Sequence, residues 1–107
     1  MRDMTKFYIN GEWIDPITPN LMDVYNPATD EVCGQISMGD AADVDKAVIA
    51  ANNAFASFSL TSKEERLELL QSILKILVRR NEEIAHVIME EMGAPWDLAL
   101  NAQAESG

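Results

Sequence analysis

Few side chains in this sequence are of a type that does chemistry, and its single cysteine and single histidine lie far apart. Cys33 lies in a strand-like stretch beside Gly34, with no histidine near it in sequence. An inert, buried thiol is therefore favoured over a nucleophile. His86 adjoins the apolar Val87 in a predicted helix. One histidine makes neither a metal site nor a proton relay, so a structural role is favoured.

Four glutamates form the densest group of ionisable side chains: Glu82, Glu83, Glu90 and Glu91. Glu83 and Glu90 are seven residues apart and could share a helix face, but a solvated surface explains the whole group. The glycines are too sparse for a phosphate-binding loop. Trp13 and Trp96 are typical of core residues or interface anchors. Taken alone, the residues predict an α+β domain without a catalytic, cofactor-binding or metal site.

Length and composition predict one folded domain that does not span a membrane. The chain has 107 residues, 48% of them hydrophobic, and no apolar run of 18 residues that could span a membrane. Its 8 basic and 18 acidic residues give a net charge of −10, which disfavours nucleic acid and anionic lipid as partners. The N-terminus lacks a secretory signal, and one cysteine cannot form an intrachain disulfide. A reducing cytoplasm is the expected location.

The first forty residues predict two successive antiparallel hairpins between residues 7 and 37. Asn10-Gly11 between the strand-like residues 7–9 and 13–14 is a strong hairpin signal. Residues 22–25 alternate with period two, as in a half-buried strand. Residues 26–30 form a turn with Asn first and Pro second, and residues 31–37 return as the partner strand.

The remainder predicts helices near residues 40–58, 62–79, 82–92 and from 95 onward. Predicted N-caps are Asp40 for the first helix, Thr61 or Ser62 for the second and Asn81 for the third. Each candidate for the second has a glutamate three residues on, as in a capping box. Apolar stripes expected to be buried are Val44, Val48, Ala51, Phe55 and Phe58; Leu67, Leu70, Ile73, Leu74 and Leu77; and Ile84, Val87 and Ile88.

Gly93 and Pro95 mark the boundary between the last two predicted helices. Gly93 can take the left-handed conformation that ends one helix, and the fixed φ of Pro95 suits the start of another. The sequence then reaches Gly107 without a further stop signal.

Four blocks of the chain, in order, resemble the N-terminal segment of the aldehyde dehydrogenase superfamily. They are "FYINGEW" (7–13), "YNPATDEVCGQI" (25–36), "GDAADVDKAVIAANNAF" (39–55) and "SKEERLELLQSILKILVRRNEEIAHVIMEEMGAP" (62–95). The resemblance covers essentially the whole chain and roughly the first fifth of such an enzyme. It implies that residues 1–107 are a truncated N-terminal portion of an NAD(P)-binding domain with a Rossmann-type α/β fold.

The resemblance also implies NAD- or NADP-dependent oxidation of an aldehyde to an acid by the full-length enzyme. Its nucleophilic cysteine, glutamate base, oxyanion-holding asparagine and cofactor-binding residues lie downstream and have no counterpart here. We therefore expect no catalytic, cofactor or metal residue in this chain, and Cys33 does not inherit the nucleophile's role. The implied partners are the remainder of the enzyme chain and, at full length, further copies in a homo-oligomer.

Two departures from the family pattern concern binding and turn geometry. Some members hold a monovalent cation with carbonyls that correspond to Val24 and Tyr25, and with an acidic side chain where this sequence has the neutral Gln103. No metal is assigned for that reason. Asp30 stands where the family's turn usually has glycine, a change that a type I turn is expected to tolerate.

Two functions remain open from sequence. The first is part of an aldehyde dehydrogenase, which the abrupt end at residues 101–107 favours. The second is a free-standing acidic interaction module without enzymatic activity. In either case, so short a chain is expected to leave much of its apolar surface uncovered, since its strands are short and hairpins need packing partners.

Overall fold

The computed structural model describes residues 1–106, and Gly107, the end of the last predicted helix, lies outside that range. The strands are β1 (Arg2–Met4), β2 (Phe7–Ile9), β3 (Glu12–Ile14), β4 (Leu21–Asn26) and β5 (Glu31–Ser37). The helices are α1 (Ala41–Phe58), α2 (Lys63–Arg79), α3 (Asn81–Met92) and α4 (Trp96–Leu98), which continues as a π-helical segment (Ala99–Ala104). The predicted order of strands followed by helices is confirmed.

The first predicted hairpin is confirmed. β2 and β3 pair antiparallel, with Ile9 opposite Glu12. Asn10 and Gly11 both have positive φ, 56° and 80°. Two consecutive left-handed residues twist a two-residue turn to match the strands, which explains why Asn-Gly predicts it so well.

The second hairpin is confirmed but belongs to a larger sheet than predicted. β4 and β5 are hydrogen-bonded neighbours joined by a short turn, which only antiparallel strands allow. β1 adds a third strand parallel to β5, with Arg2 opposite Gly34. The prediction of antiparallel hairpins alone was incomplete, because three polar-rich residues give no strand signal. Gly34 accommodates β1: a Cβ there would lie 3.3 Å from the carbonyl oxygen of Arg2.

The period-two pattern predicted for β4 is not followed. Met22 and Tyr25, three residues apart, are both exposed, whereas Asp23 and Val24 between them are half-buried. Asp23 is held at the sheet because its Oδ1 accepts a hydrogen bond of 2.7 Å from Nε2 of Gln35 on β5.

The turn between β4 and β5 has Asn26 first and Pro27 second, as predicted, but the expectation for Asp30 requires correction. The N–H groups of Thr29 and Asp30 donate to the carbonyl of Asn26, and Oδ1 of Asn26 accepts from the N–H of Ala28. Asp30 lies one residue beyond the four-residue turn with φ 59°. Its conformation is the left-handed one, which explains a family preference for glycine there.

Two of the three predicted N-caps are confirmed. Asp40 caps α1, and Ser62, the second of the two candidates, caps α2 in a reciprocal capping box with Glu65. Asn81 was wrong as a cap, since it is the first residue of α3. Arg80 is the single residue between α2 and α3, so it serves as the C-cap of α2 and the N-cap of α3. Its side chain makes no capping hydrogen bond to α3.

The predicted junction after α3 is confirmed, whereas the helix that follows differs from expectation. Gly93 has φ 68° and its N–H donates to the carbonyl of Met89. After α4 the chain widens into the π-helical segment, where residues five apart come close to the same face. Ala99 and Ala104, five apart, are both buried there, whereas Leu98 is exposed.

The chain divides into two compact parts, residues 1–24 with 32–61, and residues 25–31 with the stretch beginning at Ser62. Over residues 1–106 the buried hydrophobic side chains are those of Ala85, Ala99 and Ala104. Against this small cluster, in the second part, pack Ile84, Ile88, Met89, Ala94, Trp96 and Leu100.

The α3 stripe is therefore partly buried as predicted, whereas the α1 and α2 stripes are largely exposed. Val44 and Phe55 of α1, and Leu70 and Leu74 of α2, are each more than half exposed. The expectation of a large uncovered apolar surface is confirmed.

Candidate functional site

Cys33 lies half-buried in the middle of β5. Its Sγ is 3.4 Å from the carbonyl oxygen of Val24 on the neighbouring strand, to which the thiol donates a hydrogen bond. The thiol is directed at a backbone carbonyl within the sheet, which is the geometry of a structural cysteine.

His86 is exposed on α3 and packs against the half-buried indole of Trp96, with ring centroids 4.5 Å apart. Trp96 in turn contacts the alanine cluster. The pair joins α3 to α4 through an aromatic contact worth about 0.5–1.5 kcal/mol. This is the structural role expected for His86, and it places Trp96 at the edge of the small core.

Trp13 is 65% exposed on β3 and packs on Tyr8 across the hairpin, with ring centroids 5.1 Å apart. Cross-strand aromatic pairs of this kind stabilise a two-stranded hairpin by roughly 0.2–1 kcal/mol. Of the two roles expected for Trp13, burial in the core of this chain is excluded.

The acidic group of α3 lies largely in solvent, with Glu82, Glu83 and Glu91 exposed and Glu90 half-buried. Glu83 accepts from both Nε and Nη2 of Arg80 at 2.9 Å. Both side chains are more than half exposed, so the ion pair contributes at most about 1 kcal/mol. Within residues 1–106, no three His, Cys, Asp or Glu side chains are grouped closely enough to hold a metal ion.

The buried ionisable group that sequence reasoning missed is Asp43, which is 5% exposed at the start of α1. Its Oδ1 accepts from the N–H of Ile17 at 2.9 Å, and its Oδ2 accepts from the N–H of Asp40 at 3.1 Å. Asp40 returns the contact, since its Oδ1 accepts from the N–H groups of Ala42 and Asp43. Asp-x-x-Asp at a helix start is the capping-box spacing that could have revealed it.

The two N–H groups that Asp43 accepts from also set its charge. The hydrogen bond from Ile17, followed by that from Asp40, lowers the pKa of the Asp43 carboxyl below its ordinary value of 3.8, against the opposing effect of burial. Near neutral pH the Asp43 carboxyl is ionised, and both of its oxygens accept hydrogen bonds from backbone N–H groups. Its role is to fix the loop at Ile17 to the first turn of α1.

The helix N-termini in the described chain do not suit the phosphates of a dinucleotide. Such a site needs free N–H groups and no competing negative charge. The first turn of α1 contains Asp43, that of α2 Glu64 and Glu65, and that of α3 Glu82 and Glu83. These carboxylates would repel a pyrophosphate, so residues 1–106 offer no fit for NAD at a helix start.

Of the residues that correspond to a family cation site, Val24 already accepts a hydrogen bond through its carbonyl, and Gln103 is neutral where the family has an acidic side chain. The carbonyl of Val24 accepts from the thiol of Cys33. Gln103 places its Oε1 in a buried position with no hydrogen-bond partner among the described residues. An amide oxygen can ligate a cation but provides no charge to balance it. The orphaned oxygen nonetheless calls for a partner that residues 1–106 do not provide.

Comparison with known proteins identifies the family. The model of the aldehyde dehydrogenase family matches residues 13–106. A putative aldehyde dehydrogenase of Staphylococcus aureus (strain bovine RF122 / ET3-1) is 46% identical over 107 residues, which is 100% of this chain and 22% of that protein. A putative aldehyde dehydrogenase of Staphylococcus haemolyticus is 44% identical with the same coverage.

Solved structures give the same result. The aldehyde dehydrogenase of Bartonella henselae matches with a TM-score of 0.97 and 47% identity, covering 99% of this chain and 22% of that one. Aldehyde dehydrogenase C of Pseudomonas syringae, solved as a mutant with NAD+ and octanal, matches with a TM-score of 0.92 and 44% identity over 94% of this chain and 21% of that one. The chain belongs to the aldehyde dehydrogenase family and spans about a fifth of the length of these relatives.

The matched region is the N-terminal fifth of the family. No helix of the described chain is long and apolar enough to cross a membrane. Residues 1–106 form two small sheets, helices of which α1 and α2 have side-chain N-caps, and a large exposed apolar surface.

Proposed function

We propose that this chain is the N-terminal structural portion of an NAD(P)-dependent aldehyde dehydrogenase. The complete enzyme oxidises an aldehyde to a carboxylic acid, and residues 1–107 form the start of its cofactor-binding domain without contributing a catalytic, cofactor or metal residue. The observation that carries this proposal is that nearly the whole chain matches a segment of family members. That segment is 22% of the length of each of two relatives, which are 46% and 47% identical to this chain.

The cofactor assignment draws on relatives solved with bound nucleotide. The P. syringae enzyme is described with NAD+, as is an aldehyde dehydrogenase of Bacillus cereus that is 30% identical to this chain. In the complete enzyme, NAD+ or NADP+ accepts the hydride. The cofactor is bound there by residues outside this chain. The acidic first turns of α1, α2 and α3 support that division of roles.

The proposal includes a cytoplasmic location and a homo-oligomer at full length. A lone, half-buried thiol suits a reducing compartment. The alternative function, an acidic interaction module, has no specific support. The charged side chains lie on solvated helix surfaces and at helix caps, and the exposed stripes of α1 and α2 are apolar.

A chimaera tests the function. Residues 1–107 replace the matched segment of the B. henselae aldehyde dehydrogenase, and the purified chimaera is assayed for NAD(P)-dependent oxidation of aldehydes. We expect activity within about tenfold of the parent. A folded chimaera without activity would contradict the proposal, as would an isolated 107-residue chain that turns over aldehyde by itself. The parent enzyme without its matched segment is the control.

A further inference from the structure

The turn between β2 and β3 contains the one asparagine of this sequence that glycine follows. Asn10 precedes Gly11, whereas Asn20 is followed by leucine and Asn26 by proline. Asparagine is a labile residue, because the backbone nitrogen of the next residue can attack its side-chain carbonyl carbon. Glycine has no side chain to obstruct that attack, and a proline nitrogen has no proton to lose. The sequence therefore singles out Asn10 as the asparagine best placed to react with its own backbone.

The structure leaves this turn open to water. Asn10 and Gly11 are both exposed. A Cβ atom added to Gly11 would have no atom of the other described residues within 4 Å, its chain neighbours aside. The space beside the attacking nitrogen is therefore free for the solvent that must remove its proton.

The conformation of Asn10 opposes the reaction as long as the turn is formed. Asn10 has φ 56°, in the left-handed region, where ψ is about +30 to +60°. That ψ turns the Gly11 nitrogen away from Cβ of Asn10, whereas ring closure needs the nitrogen and the side chain on the same side of the Cα–C bond. Rotation about that bond breaks the turn, so the reaction requires the hairpin to open.

Few contacts keep the hairpin closed. β2 and β3 have three residues each and form a sheet of their own. Isolated two-stranded hairpins are marginally stable in water. Here the rings of Tyr8 and Trp13 pack across the strands at 5.1 Å, and Phe7 packs close enough to Gly39 that a Cβ there would lie 3.3 Å from Cζ. Local opening of so small an element is frequent, and the ring pair is the contact that opposes it directly.

We propose that Asn10 is a site of spontaneous succinimide formation, and that the contact between Tyr8 and Trp13 sets its rate by holding the turn in the unreactive conformation. The Gly11 nitrogen loses its proton and attacks Cγ of Asn10. A bond forms between that nitrogen and Cγ, the side-chain nitrogen leaves with the proton as ammonia, and a cyclic imide remains. Water then opens the ring at either carbonyl, which yields aspartate or isoaspartate.

The two products affect the hairpin differently. Aspartate leaves the main chain unchanged and adds one negative charge, and Asp-Gly suits the same turn. Isoaspartate routes the main chain through Cγ and lengthens it by one carbon atom. The turn then no longer sets the register that places Ile9 opposite Glu12. Formation of isoaspartate therefore loosens the hairpin that had delayed it.

The experiment is incubation of the purified 107-residue chain near neutral pH in water enriched in heavy oxygen. Peptide mass spectrometry follows each asparagine, with fragmentation that separates isoaspartate from aspartate. We expect Asn10 to be converted at least about tenfold faster than Asn20 and Asn26, because glycine leaves the attacking nitrogen unobstructed. Heavy oxygen should enter at Asn10, and isoaspartate, which arises through the ring, should be among the products.

The role of the ring pair is tested by substitution at Trp13. Trp13→Ala should speed conversion of Asn10 by about 1.4- to 5-fold, which is the loss of a cross-strand pair expressed as an equilibrium constant. Trp13→Phe keeps an aromatic ring and should stay nearer the wild-type rate. A synthetic peptide of residues 7–14 gives the rate of an open hairpin. It should react faster than the chain, and Trp13→Ala should not change the rate of the peptide.

The matched control removes an exposed aromatic side chain from the other sheet. Tyr25→Ala on β4 should leave the rate at Asn10 unchanged. Conversion of Asn10 no faster than that of Asn20 would overturn the site. Equal rates in the wild-type and Trp13→Ala chains, or equal acceleration by Tyr25→Ala, would overturn the role of the ring pair. These results do not depend on aldehyde oxidation, so their failure would leave the proposed function intact.

Discussion

A Cβ atom placed on Gly93 would lie 2.9 Å from Cγ of Pro27, so the end of α3 and the turn after β4 approach as closely as a glycine permits. Gly93 also has φ 68°, the left-handed conformation that ends the helix. Conformation and space therefore require glycine independently. The sequence indicated the first requirement, whereas the second depends on a contact between residues 66 positions apart in the chain.

Gly93→Val should destabilise this part of the fold by about 1–2 kcal/mol or more, because a β-branched residue resists positive φ and its Cβ meets Pro27. The measurement is hydrogen exchange at the amides of α3 in the chimaera. Met92→Val, an exposed change inside the helix, is the control and should cost only a few tenths of a kcal/mol. Equal protection in both variants would contradict the role assigned to Gly93.

The steric part can be separated from the backbone part. Gly93→Ala should be less harmful in combination with Pro27→Ala than the sum of the two single changes predicts, because the second change removes the Cγ atom that the new Cβ meets. Residues in contact commonly couple by about 0.5–3 kcal/mol. Strict additivity of the two changes would mean that the close approach does not affect stability.

Asp30→Gly should leave the fold unchanged or stabilise it by up to about 1 kcal/mol. Asp30 has φ 59°, which glycine adopts without steric cost and aspartate does not. Thr29→Gly is the matched control: it adds a glycine where φ is not positive and removes the hydroxyl oxygen that accepts from the N–H of Glu31, so it should destabilise. Hydrogen-exchange protection of the β4 and β5 amides measures the effect of each variant on stability. A clear loss of protection in Asp30→Gly would refute the claim that the positive φ of Asp30 is strained.

Asp43 should titrate below 3.8, because N–H groups of Ile17 and Asp40 donate to its carboxylate. The lowered pKa means that the ionised group stabilises the folded chain at any pH above about 3.8. That contribution is lost as the pH falls through the lowered value. Carboxyl carbon chemical shifts followed by NMR give the pKa directly, and a value at or above 3.8 would contradict the geometry.

Asp43→Asn should weaken the first turn of α1 near neutral pH, because the amide has one acceptor oxygen where the carboxylate uses two. The difference in exchange protection between wild type and variant should shrink as the pH falls toward 3. Asp40→Asn is the control, since asparagine caps a helix as well as aspartate. A difference that does not change with pH would rule out the ionised carboxylate as its cause.

The isolated chain should show no NAD(P)-dependent aldehyde oxidation, and Cys33→Ser should change nothing in the chimaera's turnover. The thiol donates to the carbonyl of Val24 within a sheet and is not poised as a nucleophile. Steady-state assays with NAD+ and with NADP+ measure both. Turnover by the isolated chain that disappears in Cys33→Ser would make that thiol catalytic and would overturn its structural assignment.

What the sequence predicted well depends on short-range chemistry. Asn10-Gly11 sets its own turn, Asp40 and Ser62 cap the helices that follow them, and Gly93 ends α3, each through contacts within about four residues. The strand β1 was missed because its pairing with β5 is more than thirty residues distant and its own residues are polar. Asn81 failed as a cap because the connection between α2 and α3 is shorter than a cap requires.

The candidate site shows the same division. Cys33 and His86 could be assigned structural roles from their isolation in sequence, and their contacts in the structure are structural. Asp43 needed the loop at Ile17 to be recognised as buried, and the orphaned Oε1 of Gln103 needed the π-helical segment. Such tertiary contacts are not written in local patterns of polarity.

Thermal melting with sedimentation of the purified 107-residue chain at several concentrations tests most directly whether it is a supporting portion that needs the rest of an enzyme. Its buried hydrophobic side chains in the described residues are three alanines, whereas the α1 and α2 stripes face solvent. We predict a broad or concentration-dependent transition, with self-association that increases when salt screens the charge of −10. A compact monomer with one sharp transition, unchanged by concentration, would contradict the account.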